Sequence, residues 1–123
     1  GLPGLEQTYG TFKFKSKNTF DNSLKYQAMA NDEVDCVPAY TTDAQLSSDE
    51  FVLLDDDKHF WPPYNIIPVV RQELIDAHPD VAEIINKISA AIDTETMTKL
   101  NAQVDIDKEE YEDVAADFYA TLK

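Results

Sequence analysis

Two adjacent prolines stand near the middle of the chain, in the stretch DDDKHFWPPYNIIPVVRQEL from Asp55 to Leu74. A proline has no amide hydrogen and a fixed φ, so a pair fits neither a helix interior nor a central strand. Pro62 and Pro63 therefore make a stiff connection, and the rest of the chain divides around it. The connection is also crowded. Three acids, a His, a Phe, a Trp and a Tyr share its ten residues with a lysine and the two prolines.

Before the connection the pattern alternates between α and β. PGLEQTY (3–9) reads as a short helix with Pro3 near its start, and TFKFKS (11–16) alternates apolar and polar as a half-buried strand does. Asp21 is placed to cap a helix over NSLKYQAMAN, with Leu24, Ala28 and Met29 on one side. VDCV (34–37) then reads as a buried strand, completing a β-α-β order. TTDAQLSSDE (41–50) is a loop with room for one helical turn, and FVLL (51–54) is a strand leading into the connection. Past it, NIIPVV (65–70) is a strand interrupted by Pro68, which suits an edge or a crossover.

From Arg71 onward the period is helical. Val81, Ile84, Ile85 and Ile88 form a stripe behind Pro79, and Met97, Leu100 and Val104 form another. A last helix is predicted over 107–122. Asp107 with Glu110 resembles a capping box, and Tyr111, Val114, Ala115, Phe118, Tyr119 and Leu122 keep to one face. With 123 residues the chain amounts to at most one ordinary domain or a piece of something larger. It opens at Gly1 with neither Met nor a signal-peptide pattern, which points to a start set by processing or by excision from a longer chain. No internal repeat and no long apolar run is present.

Charge and composition exclude several classes. Asp+Glu number 24 against Lys+Arg 10, a net charge of −14, which argues against nucleic acid or an anionic lipid surface as partner. Cys36 is the only cysteine, so no internal disulfide or multi-Cys metal site is available, and its place between valines reads as a small buried hydrophobe. A metal cluster at Asp55–Asp57 and His59 is disfavoured, because consecutive residues at a strand end cannot all face one ion. VDIDKEEYE lacks the glycine that a calcium loop needs, and a helix N-terminus with favourable acids accounts for it better. No G-x-S-x-G elbow occurs, and all three glycines fall in the first ten residues, which leaves no phosphate cradle.

The aromatic residues carry the most information. Tyr26 and Tyr111 have apolar neighbours at helical spacing and read as core. Tyr40 and Tyr64 follow apolar or proline-stiffened runs, where a ring can face a cleft at small cost in backbone freedom. Several such ring faces attract a quaternary ammonium group, which has no hydrogen to donate. From the residues alone, a cage and a packed hinge both remain open.

Three segments together resemble a known family: YQAMANDEVDCVPAYTTD, then FVLLDDDKHFWPPYNIIPVVR, then DTETMTKLNAQVDIDKEEYEDVAADFY. They look like the C-terminal half of the substrate-binding proteins of glycine betaine/carnitine/choline (osmoprotectant) ABC transporters. The specific parts are the Y-x-T-D segment, the acidic run into an aromatic-Pro-Pro-Tyr, and E-x-M-x-x-L-N-x-x-V-D. The resemblance implies an α/β fold class: a fragment of a two-lobed, type II-like periplasmic-binding-protein fold, with mixed sheet pieces followed by C-terminal helices. Residues 1–62 would be the latter part of lobe two and residues 63–123 the C-terminal part of lobe one, with the N-terminal half absent.

The resemblance further implies a solute-binding component of an ABC importer, not an enzyme, with neither cofactor nor metal. Tyr40 and Tyr64 match two tyrosines of the family's aromatic cage. Thr42 and Asp43 match a polar pair beside it that orients the loop or touches ligand. Two further rings and a basic residue for a ligand carboxylate are expected upstream. The implied partners are a small quaternary ammonium solute and a membrane permease, and the implied location of the protein is the periplasm or the extracellular face of the cytoplasmic membrane, with any anchor beyond this chain. Two departures bear on loop shape and ligand preference: Ala44 stands where the family often has glycine, and Trp61 where Phe is more usual. The competing readings are a binding protein for another small solute, an acidic interaction domain docking through Tyr40, Trp61 and Tyr64, and, last, a metal-dependent hydrolase.

Overall fold

The computed structural model describes all of residues 1–123. Six α-helices form: α1 (Leu2–Tyr9), α2 (Lys25–Ala30), α3 (Gln72–Ala77), α4 (Asp80–Ala90), α5 (Thr94–Asp105) and α6 (Tyr111–Ala120). Two 3-10 turns join them, Asn22–Leu24 running into α2, and Ala44–Ser47. The chain separates into two compact units, one made of Gly1–Pro38 with Leu54–Asn65 and the other of Ala39–Leu53 with Ile66–Lys123.

In the first unit, α1 begins on Pro3 in its opening turn and stops at Gly10, whose φ of 95° ends the helix while its amide still bonds the Glu6 carbonyl. The Asp21 carboxylate accepts the Ser23 amide at 3.0 Å and caps the turn that feeds α2, as its place before that run predicts. Tyr26 and Ala28 are buried there, and the Lys25 ammonium sits 5.0 Å from the Tyr26 ring centre. Leu24, expected on the same side, is exposed. Gly4 lies against the Phe60 ring so closely that an added Cβ would stand 2.8 Å from two ring carbons. A side chain here would push the ring away.

In the second unit, α4 starts behind Pro79, and α5 is capped by Asp93, which accepts the Thr96 amide at 2.8 Å. The α4 stripe is only partly covered, with Val81, Ile85 and Ile88 half-buried and Ile84 exposed. Met97, Leu100 and Val104 of α5 are half-buried as predicted. The last helix begins at Tyr111, with Glu110 as N-cap and no side-chain cap, so the predicted capping box at Asp107 does not form. Residues 106–109 instead close α5: the Ile106 and Asp107 amides bond the Ala102 carbonyl, the Glu109 amide bonds Gln103, and Lys108 takes a φ of 63°. The orphan carbonyls of α5 compete successfully for this segment. On α6, Val114 is 5% exposed and Phe118 is half-buried, and Leu122, just past the helix end, is half-buried too, a stripe narrower than predicted. Tyr111, expected in the core, is 66% exposed at the first position of the helix, while Val114 is the residue of that turn that is buried.

No strand forms, which corrects the expected sheet pieces at 11–16, 34–37, 51–54 and 65–70. A strand is held only by pairing its amides and carbonyls with a neighbour, and none of these runs lines up with another within the chain. Val52, Leu54, Ile66 and Val69 are left largely exposed as a result. Cys36 is exposed too, contrary to its reading as a buried hydrophobe, since the VDCV run is extended coil with cover only on Val34 and Val37. The buried hydrophobic residues are Tyr26, Ala28, Ala44 and Val114, a core small enough to leave each unit marginal. Val114→Ala is therefore expected to lower unfolding stability by about 1.5–2.5 kcal/mol, from two lost methyls and partial cavity collapse, measured by urea titration. The half-buried Phe118→Ala should fall short of the roughly 3–5 kcal/mol of a fully buried phenylalanine.

Candidate functional site

The Tyr40 segment lies in the second unit. Its backbone closes as a turn from both ends: the Asp43 amide donates to the Tyr40 carbonyl at 3.0 Å, and the Tyr40 amide donates to the Asp43 carboxylate at 3.2 Å. The Leu46 amide then bonds the Asp43 carbonyl at 3.0 Å and starts the 3-10 turn. That turn packs on α5, with Ala44 at 1% exposure. Glycine is not needed at position 44, since its φ is not positive and its methyl fills the contact. The departure at Ala44 is thus accommodated by the turn.

Two α5 side chains reach the same turn. The Asn101 side-chain amide donates to the Thr42 carbonyl at 2.8 Å, and the Thr98 hydroxyl lies 3.2 Å from the Thr41 carbonyl and 2.8 Å from that of Thr94. Thr98 and Asn101 share a helix face through their i, i+3 spacing. Held by its backbone in this way, Tyr40 is 57% exposed. Of the residues expected at the site, Tyr40, Thr42 and Asp43 are brought together here. Beside them Leu46, Ser47, Glu95, Thr98 and Lys99 line an open depression of about 270 Å³.

Tyr64 belongs to the first unit, where it is 84% exposed at the end of the proline connection. The connection is clasped by Asp56. Its carboxylate accepts the Phe60 amide at 3.0 Å, the Trp61 amide at 2.8 Å and the Tyr9 hydroxyl. The Tyr9 oxygen in turn accepts the Lys58 amide at 2.9 Å, while the Lys58 ammonium donates to the Thr8 carbonyl in the last turn of α1 and lies 5.0 Å from the Tyr9 ring centre. His59 has a φ of 52°, the left-handed bend that lets both Phe60 and Trp61 turn their amides onto one carboxylate. The Phe60 and Trp61 rings meet edge to face at 4.8 Å. Asp56 is therefore spent on backbone donors, and no group of three His, Cys, Asp or Glu side chains is placed to share a metal ion.

The Tyr9 hydrogen bond and then the Trp61 amide hold the Asp56 carboxyl below its usual value. Partial desolvation and then the Asp56 hydrogen bond push the Tyr9 phenol up to about 12. A depressed carboxyl pKa contributes stability that is present above its unfolded value, about pH 4, and is lost as pH falls through the folded one. A raised phenol pKa contributes stability that is complete below about pH 10 and is lost as pH rises towards 12. The emission of Trp61, the single tryptophan, is thus expected to stay constant from about pH 5 to pH 9 and to change at both ends. Asp56→Asn should remove the acid limb.

Sequence reasoning missed Tyr9, Asp56, Lys58, Thr98 and Asn101. Thr98 and Asn101 carried a signal, a polar pair beside the apolar stripe of α5. The Tyr9–Asp56 pairing, between residues far apart in the chain, had none.

Residues 1–121 match the family described as the substrate binding domain of ABC-type glycine betaine transport systems. The chain is 39% identical over 119 residues to a glycine-betaine-binding protein of Pseudomonas aeruginosa, covering 96% of this chain and 38% of that protein. It is 35% identical over 118 residues to the carnitine transport binding protein OpuCC of Listeria monocytogenes, covering 96% and 38%. A third relative, the ergothioneine transport permease/ergothioneine binding protein EgtU of Helicobacter pylori, is 35% identical over 119 residues, 97% of this chain and 21% of that protein. The chain thus spans between 21% and 38% of the length of these relatives.

Proposed function

Because the chain belongs to the family of substrate-binding domains of ABC-type glycine betaine transport systems, we propose that it forms part of a solute receptor for quaternary ammonium compounds. Tyr40 and Tyr64 supply two rings of an aromatic cage, Thr42 and Asp43 shape the turn that carries the first, and no catalysis is involved. The observation that carries the reading is the Tyr40 turn, whose backbone is fixed on α5 while its ring stays exposed. Glycine betaine, carnitine and ergothioneine, named in the relatives, each contain a trimethylammonium group and a carboxylate. A ring face attracts the first of these by its quadrupole. In this reading the remaining rings and the cation that meets the carboxylate come from the part of the relatives that this chain does not span. Residues 1–62 and 63–123 contribute to the second and first lobes, and the receptor works in the periplasm or at the extracellular face of the cytoplasmic membrane, where it passes solute to a membrane permease. No helix is long and apolar enough to cross a membrane.

Two rings at roughly 0.5–2 kcal/mol each sum to about 1–4 kcal/mol, which corresponds to a Kd of about 1 mM or weaker. The chain alone is accordingly expected to bind weakly or undetectably. Thermal-shift measurements test the reading on a graft in which residues 1–121 replace the matching segment of a full-length relative. Selective stabilisation by choline, carnitine or glycine betaine supports it. Stabilisation by a divalent ion alone, or by none of these, refutes it.

A further inference from the structure

We propose that Asn101 is the positioning residue that sets the conformation of the Tyr40–Asp43 turn. The proposal rests on the reading of Tyr40 as a ligand ring for its functional meaning, and on geometry for its substance. The turn has two internal hydrogen bonds, Asp43 amide to Tyr40 carbonyl and Tyr40 amide to Asp43 carboxylate. Both act between its ends and leave its tilt on the rest of the unit undetermined. Two carbonyls at its apex, those of Thr41 and Thr42, face α5. Thr98 is a divided donor, since its single hydroxyl proton has the closer Thr94 carbonyl as an alternative within the helix. The Asn101 bond to the Thr42 carbonyl, at 2.8 Å, is shorter than the 3.2 Å bond from Thr98 to the Thr41 carbonyl, and it comes from an amide with a planar, fixed direction.

Asn101 is therefore the contact that ties the turn carrying Tyr40 to a rigid helix, and Ala44, buried just after the turn, is the pivot. A loop ring fixed in this way meets a ligand without first losing conformational entropy. Asn101 acts through Thr42 and touches no ligand itself.

The test is amide hydrogen exchange and the ring resonances of Tyr40, read by NMR on the 123-residue chain. Asn101→Asp keeps the side-chain shape and replaces the donor with an acceptor. It is expected to speed exchange at the Asp43 and Leu46 amides by about fivefold or more and to shift the Tyr40 ring signals, with α6 unchanged. Asn101→Ala, which removes the donor without adding charge, should raise the same two amides. Gln103→Glu adds equal charge to α5 and should leave them alone. Unchanged exchange in both Asn101 variants, an equal rise in Gln103→Glu, or a rise that spreads through α6 overturns the proposal. Exchange requires no solute, so failure of Tyr40→Ala to weaken solute binding in the graft would count against the ligand reading and not against Asn101.

Discussion

Asp56→Ala is expected to dismantle the proline connection and leave the rest of the chain folded. One carboxylate gathers two consecutive backbone amides and a phenol. Hydrogen bonds to an ionised acceptor are about twice as strong as neutral ones, and here they are made together around a left-handed His59. With the carboxylate removed, that bend keeps only the backbone bond from the His59 amide to the carbonyl of residue 56, at 3.0 Å, and the Lys58 contacts to α1. Amide exchange at Phe60 and Trp61 should quicken by on the order of tenfold or more, and Trp61 emission should shift towards that of a solvated indole. The amides of α5 and α6 are the internal reference. Tyr9→Phe, which removes one of the three donors, should give a smaller change in the same direction. An Asp56→Ala protein with unaltered Trp61 emission would show that the connection is held by its prolines alone.

The second large effect concerns the two rings. In the graft, Tyr40→Ala and Tyr64→Ala should each weaken binding of choline by up to about thirtyfold, the equivalent of roughly 2 kcal/mol for a well-desolvated ring. Tyr→Phe at either position keeps the π face and should cost much less, because the attraction is to the face and not to the hydroxyl. Isothermal calorimetry separates the two outcomes. Equal losses for Phe and Ala would assign the role to the hydroxyl, and no loss for Ala would remove that tyrosine from the site.

What could be read from the sequence follows from what each pattern requires. The helices were legible because a helix satisfies its own amides: Pro3, Pro79 and Asp21 mark starts that the structure has, and the α5 stripe is where its spacing puts it. Strand patterns mark a preference for a pleated, half-covered surface, and the preference does nothing without a partner at the right register. TFKFKS, VDCV, FVLL and NIIPVV carry the pattern and are coil. The start of α6 was misread for a local reason. Asp107 and Glu110 have the spacing of a capping box, but the carbonyls at the end of α5 draw the Asp107 and Glu109 amides first. At the candidate site, the ring-bearing residues could be picked out by type and position. The partners of the residues that hold them could not, since Asp56 with Tyr9, and Asn101 with Thr42, are pairings across the chain that no spacing encodes, even where a polar pair on α5 marks Thr98 and Asn101 themselves.

Recognition of a positive charge through ring faces is what the proposed function requires of this segment. Its most direct test is calorimetric titration of the graft with choline and with 3,3-dimethyl-1-butanol, a neutral isostere in which carbon replaces the ammonium nitrogen. Saturable binding of choline is expected, with binding of the isostere weaker by tenfold or more for rings worth roughly 0.5–2 kcal/mol each, and with loss of that preference when Tyr40 and Tyr64 are both alanine. Equal affinity for the two compounds, or a preference that survives the double substitution, would contradict it.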